Sequence, residues 1–237
     1  MKLTVLGKYG PYPPVGGATS GYLLQTEKAN VLLDLGSGTL ARLKDKIKVE
    51  DLSFIIFSHL HFDHVSDFGV LSYALSFSGR KNKINVYLPS FESEVYTALS
   101  KISAFNLINV EEGVTYSESG LNFTFYKMTH PVLSYGVKIV CEGKTFAYSG
   151  DTTYNDNIPN LLQNVDLAVV DGAFLEKDFN CLKPHMSIKQ ASSLTAYAKK
   201  IIVSHISCGY NDEEVIKEIN SVSENAEIAI ECKTYKI

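Results

Sequence analysis

The 237-residue sequence predicts an α/β (α+β) architecture, a four-layer αββα sandwich of two mixed β-sheets with outer helices. Three observations lead there. Short apolar runs alternate with helix-length segments along the whole chain, the strands fall into groups before and after helices, and several apolar strands end abruptly in Ser, His or Asp. No Pro/Ser-rich linker or block of like charge interrupts the series, so residues 1–237 are expected to form one domain. With 45% hydrophobic and 20% charged residues, the chain can bury a sizeable core.

Residues 3–6, 22–26 and 31–34 are apolar runs separated by glycines and predict an antiparallel meander. A short helix is expected over 40–48. Residues 54–57 are apolar on both faces, as a central strand must be, and run straight into Ser58 and His59. A helix over 67–78, a strand over 84–88 and a helix over 90–103 capped by Ser90 follow. Residues 121–127, 136–141 and 145–148 predict successive strands, the last two joined by a turn at Glu142-Gly143-Lys144. Then come a buried strand over 167–170, an amphipathic helix over 187–200 capped by Ser187, and a strand over 201–203 that again ends in Ser204-His205. A helix over 212–222 and a strand over 226–230 complete the series.

Twenty-two Lys and Arg against 26 Asp and Glu leave a net charge of −4, and Arg42 and Arg80 are the only arginines. Planar, bidentate phosphate contacts are best made by arginine, so no extended nucleic-acid surface is expected. No apolar run approaches the roughly 18 residues of a membrane span, and the apolar start is too short for a secretion signal before Gly7 breaks it. A cytoplasmic chain without a membrane partner is expected. Cys141, Cys181, Cys208 and Cys232 lie far apart with no Cys-x-x-Cys pair, which predicts free thiols. The apolar segment 69–77 suits core packing and a homodimer surface equally well. The glycine-rich stretch 7–17 precedes a strand, not a helix, which excludes a P-loop; a Pro-stiffened surface turn is expected there, with gating by Tyr9 or Tyr12 as the other reading.

Three of the six histidines fall in Ser58-His59-Leu60-His61-Phe62-Asp63-His64, directly after the buried strand. At this composition an H-x-H-x-D-H string arises by chance with a probability on the order of 10⁻⁴. In an extended or tightly turning loop alternate side chains share a face, so His59 and His61 can grip one metal while Asp63 and His64 turn towards a second. Each ion needs further donors. His130 before Pro131, Asp151 after Tyr148-Ser149-Gly150, and His205 at the end of the 201–203 strand are candidates, each in a loop beyond an apolar strand.

The order H-x-H-x-D-H, then His, then Gly-Asp-Thr (150–152), then a late Ser-His resembles the metallo-β-lactamase fold superfamily over the whole chain. Gly-Tyr-Leu-Leu (21–24), Leu-Leu-Asp-Leu-Gly-Ser-Gly (32–38) and Asp67 are similar to its RNase Z-like phosphodiesterase branch. The resemblance implies two divalent ions, zinc by default, although manganese or iron suits the same donors. It implies that His59, His61 and His130 hold one ion, that Asp63, His64 and His205 hold the other, and that Asp151 bridges. An Asp at the bridge, where some β-lactamases of this fold place Cys, argues against antibiotic hydrolysis.

His185, in Lys183-Pro184-His185-Met186-Ser187, is the histidine left without a donor role. It resembles the branch's His-x-Ser/Thr motif, whose His contacts the scissile phosphate and protonates the leaving oxygen, oriented by an acid from an earlier strand end. Asp171 would be that acid, in Val170-Asp171-Gly172-Ala173-Phe174, where tRNA-processing members carry Glu. Asp63 would also hydrogen-bond the attacking water. Phe62 replaces a glycine common in those members and either lines the pocket or packs under its loop; Lys183 reads as a solvated surface lysine. Asp151 follows His130 by only 21 positions, room for two strands but not for the arm of tRNA 3′-end endonucleases. The expected activity is hydrolysis of a small phosphodiester: a cyclic nucleotide, a cyclic phosphate, a dinucleotide or a short RNA end. Alternatives are a carboxylic ester, thioester or lactone hydrolase, a tRNA 3′-end endonuclease, and a catalytically inactive metal-binding partner subunit.

Overall fold

The chain lays down two sheets in succession and crosses back to the first with its last strand. The structure, a computed structural model, describes residues 1–90 and 93–237. The first part comprises β1 (Lys2–Gly7), β2 (Tyr9–Gly10), β3 (Gly21–Gln25), β4 (Asn30–Leu35), α1 (Thr39–Lys46), β5 (Phe54–Ile56), the one-turn α2 (Phe62–Val65), α3 (Phe68–Ser78), β6 (Ile84–Pro89), α4 (Glu94–Ser100) and β7 (Phe105–Val110). The second comprises β8 (Thr115–Glu118), β9 (Leu121–Met128), β10 (Ser134–Cys141), β11 (Lys144–Tyr148), α5 (Asn157–Leu162), β12 (Leu167–Asp171), α6 (Ile188–Ser193), β13 (Ile201–Ser204), β14 (Ile206–Ser207), α7 (Asp212–Asn220), β15 (Ala226–Ile228) and β16 (Thr234–Lys236). One seven-stranded sheet runs β16-β1-β3-β4-β5-β6-β7 and the other β15-β13-β12-β11-β10-β9-β8, while β14 pairs with β2. Both large sheets are mixed: β1, β3 and β4 are antiparallel and β4 to β7 parallel, and β8 to β11 are antiparallel and β11 to β15 parallel.

Strand alternation builds the four layers. Val31 and Leu33 of β4 join the core between the sheets, and Leu32 and Leu35 join the core under α1 and α3. On the other side Leu167 and Val169 of β12 face the central core, whereas Ala168 and Val170 pack under α5, α6 and α7. Phe54 of β5 stacks on Phe123 of β9 across the sandwich, with ring centroids 5.2 Å apart. Each such buried aromatic ring stabilises the fold by about 1.5–3 kcal/mol. The α3 helix buries Phe68, Leu71 and Leu75 and leaves Val70, Tyr73 and Phe77 exposed, so core packing accounts for one of its faces.

Two expected helices change. The helix placed over 90–103 starts at Glu94, and its cap is Ser93, whose Oγ accepts from Tyr96 N at 3.0 Å; Ser90 is not the cap, and positions 91–92 of that expectation lie outside the described residues. Ser187 caps its helix as expected, in a capping box with Gln190, but the α-helix stops at Ser193 and loosens to a 3₁₀ turn, Leu194–Ala196. Ser192, Ser193 and Thr195 donate their hydroxyls to backbone carbonyls three or four residues back, which competes with regular helix geometry. The strands β7, β8 and β16 were not expected from sequence because they sit at or beside sheet edges, where polar residues are tolerated and the apolar pattern is weak. The short β2 and β14 and the helix α5 were likewise not expected. No helix among the described residues is long and apolar enough to cross a membrane. All four cysteines are free.

Candidate metal centre

Apolar on both faces, β5 is buried throughout, so the chain leaves it at a fixed point in the middle of the first sheet. After a bend at Ser58 the chain is extended again at His61 and brings two rings together, with His59 Nε2 3.1 Å from His61 Nδ1. The turn of α2 then places Asp63 and His64 in a second group. His130, beyond β9, has its Nε2 3.1 Å from His61 Nδ1 and donates from Nδ1 to the Pro184 carbonyl at 3.1 Å. A carbonyl only accepts, so the proton sits on Nδ1 and Nε2 keeps its lone pair.

Asp151, beyond β11, lies in the middle. Its carboxylate is 3.2 Å from His205 Nε2, 3.3 Å from His64 Nε2 and 3.6 Å from His59 Nε2. His205 stands between β13 and β14 with φ +59, a strained backbone for a non-glycine residue, and its Nδ1 is 3.1 Å from Ser20 Oγ. Two donor groups result: His59, His61, His130 and Asp151, and Asp63, His64, Asp151 and His205. Within each, the donor atoms lie within 4.8 Å of one another, and Asp151 belongs to both.

The chemistry of these groups suits divalent metal. Burial holds the pKa of His59, His61, His130 and His205 below the ordinary imidazole value, that of His205 at about 4, so these rings are neutral donors. On Asp151 burial opposes charge, but His205, His64 and His59 outweigh it and hold the carboxyl well below the usual range. His64 differs: burial again opposes charge, but Asp151 and Asp34 raise its pKa well above normal, so a metal arriving there displaces a proton. Asp63 Oδ2 and His64 Nε2 are buried without a hydrogen-bond partner among the described residues. Such an atom costs about 1–3 kcal/mol when left unsatisfied, and a bound cation would satisfy both.

Residues 29–206 match the family described as Beta-lactamase superfamily domain. The chain belongs to the beta-lactamase superfamily. It is 29% identical to the probable metallo-hydrolase YhfI of Bacillus subtilis, over 87% of each chain. The crystal structure of that metallo-beta-lactamase fold protein superposes with a TM-score of 0.92, covering 99% of this chain and 98% of the other at 27% identity. A ribonuclease Z of Methanosarcina acetivorans is 25% identical over 97% of this chain and 95% of its own. Family and relatives support a metal-dependent hydrolase of the β-lactamase fold.

In this superfamily member His185 and Asp171 also meet. His185 Nδ1 lies 2.8 Å from Asp171 Oδ2, which also accepts from Thr152 N at 2.9 Å. Burial opposes charge on His185, but the Asp171 carboxylate outweighs it and pushes the pKa up to about 9. The ring stacks 5.0 Å from that of His205, centroid to centroid, which puts the pair beside the donor groups. Asp171 and His185 form a third cluster with Asp151. The interval between His130 and Asp151 is filled by β10 and β11.

Asp34 is the residue beside the donors that the sequence reading placed at a strand end and within the 32–38 motif without giving it a role. At φ +54, it accepts from Ser58 N at 2.8 Å, Ser58 Oγ at 2.7 Å and Tyr148 OH at 2.6 Å, and its Oδ2 lies 2.7 Å from His64 Nδ1. It therefore sets the ring of His64 with Nε2 towards Asp151. The available signal was an acid between leucines in a run that must be buried. Asp34→Asn keeps the shape and loses the charge; metal affinity should fall by about 10–100-fold in chelator competition, and an unchanged affinity would mean that ring packing alone holds His64.

The glycine-rich stretch 7–17 is more than a surface turn. β2 pairs with β14 behind His205, and a Cβ on Gly10 would lie 2.1 Å from the His205 ring. Tyr12, by contrast, is exposed. Lys183 is not free in solvent: its Nζ lies 3.8 Å over the Phe174 ring and donates to the Asp178 carbonyl at 2.6 Å. Phe62 does not pack under its loop; 72% of it is exposed.

Proposed function

We propose that the chain is a two-metal phosphodiesterase acting on a small phosphodiester: a cyclic nucleotide, a cyclic phosphate or a short RNA end. The observation that carries this reading is the His185–Asp171 pair, a proton donor fixed by a buried acid at 2.8 Å beside, not within, the two donor groups. His59, His61 and His130 would hold one ion and Asp63, His64 and His205 the other, with Asp151 common to both. Zinc is the expected metal, and manganese or iron suits the same donors.

Bound there, such ions supply Lewis acidity towards a phosphoryl oxygen and make a water acidic enough to attack at neutral pH. Asp63 accepts the proton of the water that attacks phosphorus. The opposite P–O ester bond breaks, and the leaving oxygen takes its proton from His185 Nε2 while Asp171 holds the Nδ1 proton. An acyclic diester gives a phosphomonoester and an alcohol, and a cyclic one opens to a single phosphomonoester that carries the freed hydroxyl. A relative named ribonuclease Z supports phosphodiester chemistry, and the net charge of −4 and the two arginines favour a small substrate over a folded RNA.

The test compares bis(p-nitrophenyl) phosphate with a p-nitrophenyl carboxylic ester and a lactone at equal metal loading. The diester should be hydrolysed best, and a chelator should abolish the turnover. Faster turnover of the ester or lactone would place the chain with the carbonyl hydrolases. No turnover of any of the three by metal-loaded protein would make it a binding subunit.

A further inference from the structure

We infer that a cavity of about 180 Å³ beside His61 is the subsite for an apolar, ring-sized substituent of the substrate. The inference rests on the phosphodiester reading for the charged end of the substrate only. Its walls are Leu60 and Phe62, Pro89 at the end of β6, Val95 in the first turn of α4, and Val132 and Leu133. Four of these residues come from the segments that place the metal donors. Leu60 and Phe62 alternate with His59 and His61, and Val132 and Leu133 follow His130. The cavity therefore shares the His61 ring with the first donor group.

No charged side chain lines it among the described residues; His61 and Ser93 are its polar members. An apolar cavity of roughly 150 Å³ admits benzene, so this one has room for a six-membered ring. Phe62 stands at its wall with 72% of its surface exposed, a large ring that folding leaves uncovered. A substrate ring entering the cavity would bury part of that surface while its ester group lies on the donor atoms around His61. The substrate class is thus a phosphodiester that carries an apolar ring, anchored at one end by metal and at the other by burial.

The test is calorimetric titration of the zinc-loaded protein with methylphosphonate and phenylphosphonate, and with acetate and benzoate, on wild type, Val95→Trp and Val132→Trp. Wild type should bind phenylphosphonate at least about tenfold more tightly than methylphosphonate, the size of effect expected from burying one ring. Either tryptophan should fill the cavity and bring that ratio near one, with methylphosphonate affinity retained as the sign of an intact metal site. A ratio near one in wild type, or a preference that survives in both variants, overturns the assignment. A phenyl preference among carboxylates with neither phosphonate bound upholds the cavity and overturns the phosphodiester reading. Tight but equal binding of the two phosphonates does the reverse.

Discussion

Asp151→Ala is expected to strip the centre of metal and to lower diester hydrolysis by roughly a thousandfold or more, because metal catalysis supplies several kcal/mol of transition-state stabilisation at about 1.4 kcal/mol per decade. The carboxylate belongs to both donor groups, is the anion nearest to His59 and His205, and lies 3.3 Å from His64 Nε2. Without it the first group consists of three neutral imidazoles, and two dications would have to share a buried space with Asp63 as their remaining anionic ligand. The measurement is metal content per chain after dialysis, together with the thermal midpoint with and without chelator. Metal that binds only the native state stabilises it by mass action. Wild type should therefore lose thermal stability in chelator, and the variant should not. Full metal content with normal turnover in Asp151→Ala would remove Asp151 from the bridge.

His185→Ala should have the second-largest effect, and the effect should depend on the leaving group. Proton donation by a placed side chain contributes about 10²–10⁴ in rate, so an alkyl phosphodiester should lose that much kcat. A p-nitrophenyl diester should lose little, since p-nitrophenolate departs without a proton. Asp171→Asn should show the same dependence at smaller amplitude, because the amide keeps a hydrogen bond to Nδ1 but not the negative charge that holds the imidazolium. The diagnostic quantity is the ratio of losses on the two substrates. Equal losses on both would make His185 a binding group for the phosphoryl oxygens, and no loss on either would reduce the pair to a structural hydrogen bond that ties β12 to the loop before α6.

The site was legible in sequence wherever its residues are local or end an apolar strand. His59, His61, Asp63 and His64 lie within six consecutive positions, and a strand followed by a turn fixes which way each one points. His130, Asp151 and His205 could be selected one by one because each stands in a loop just beyond a run that reads as a strand. Asp34 escaped because its partners, Ser58, His64 and Tyr148, lie 24, 30 and 114 residues away, and nothing in its neighbourhood announces them. The Pro184 carbonyl that sets the tautomer of His130 comes from 54 residues away and has no sequence signature, since every residue has a carbonyl. The edge strands β7 and β8 escaped for a different reason, the mixed polarity of a strand with one neighbour.

The sequence by itself determined the layer architecture and singled out the candidate donors, because hydrophobic periodicity dictates which faces must be buried and strand ends dictate where polar side chains can gather. Only the tertiary structure decided that Asp34 sets the ring of His64, that Gly10 makes room for the ring of His205, and that an apolar cavity opens beside His61. Those outcomes depend on how the two sheets pack across the central core, where Phe54 meets Phe123 and Tyr22 meets Tyr148, and contacts between strands far apart in the chain leave no periodic trace in it.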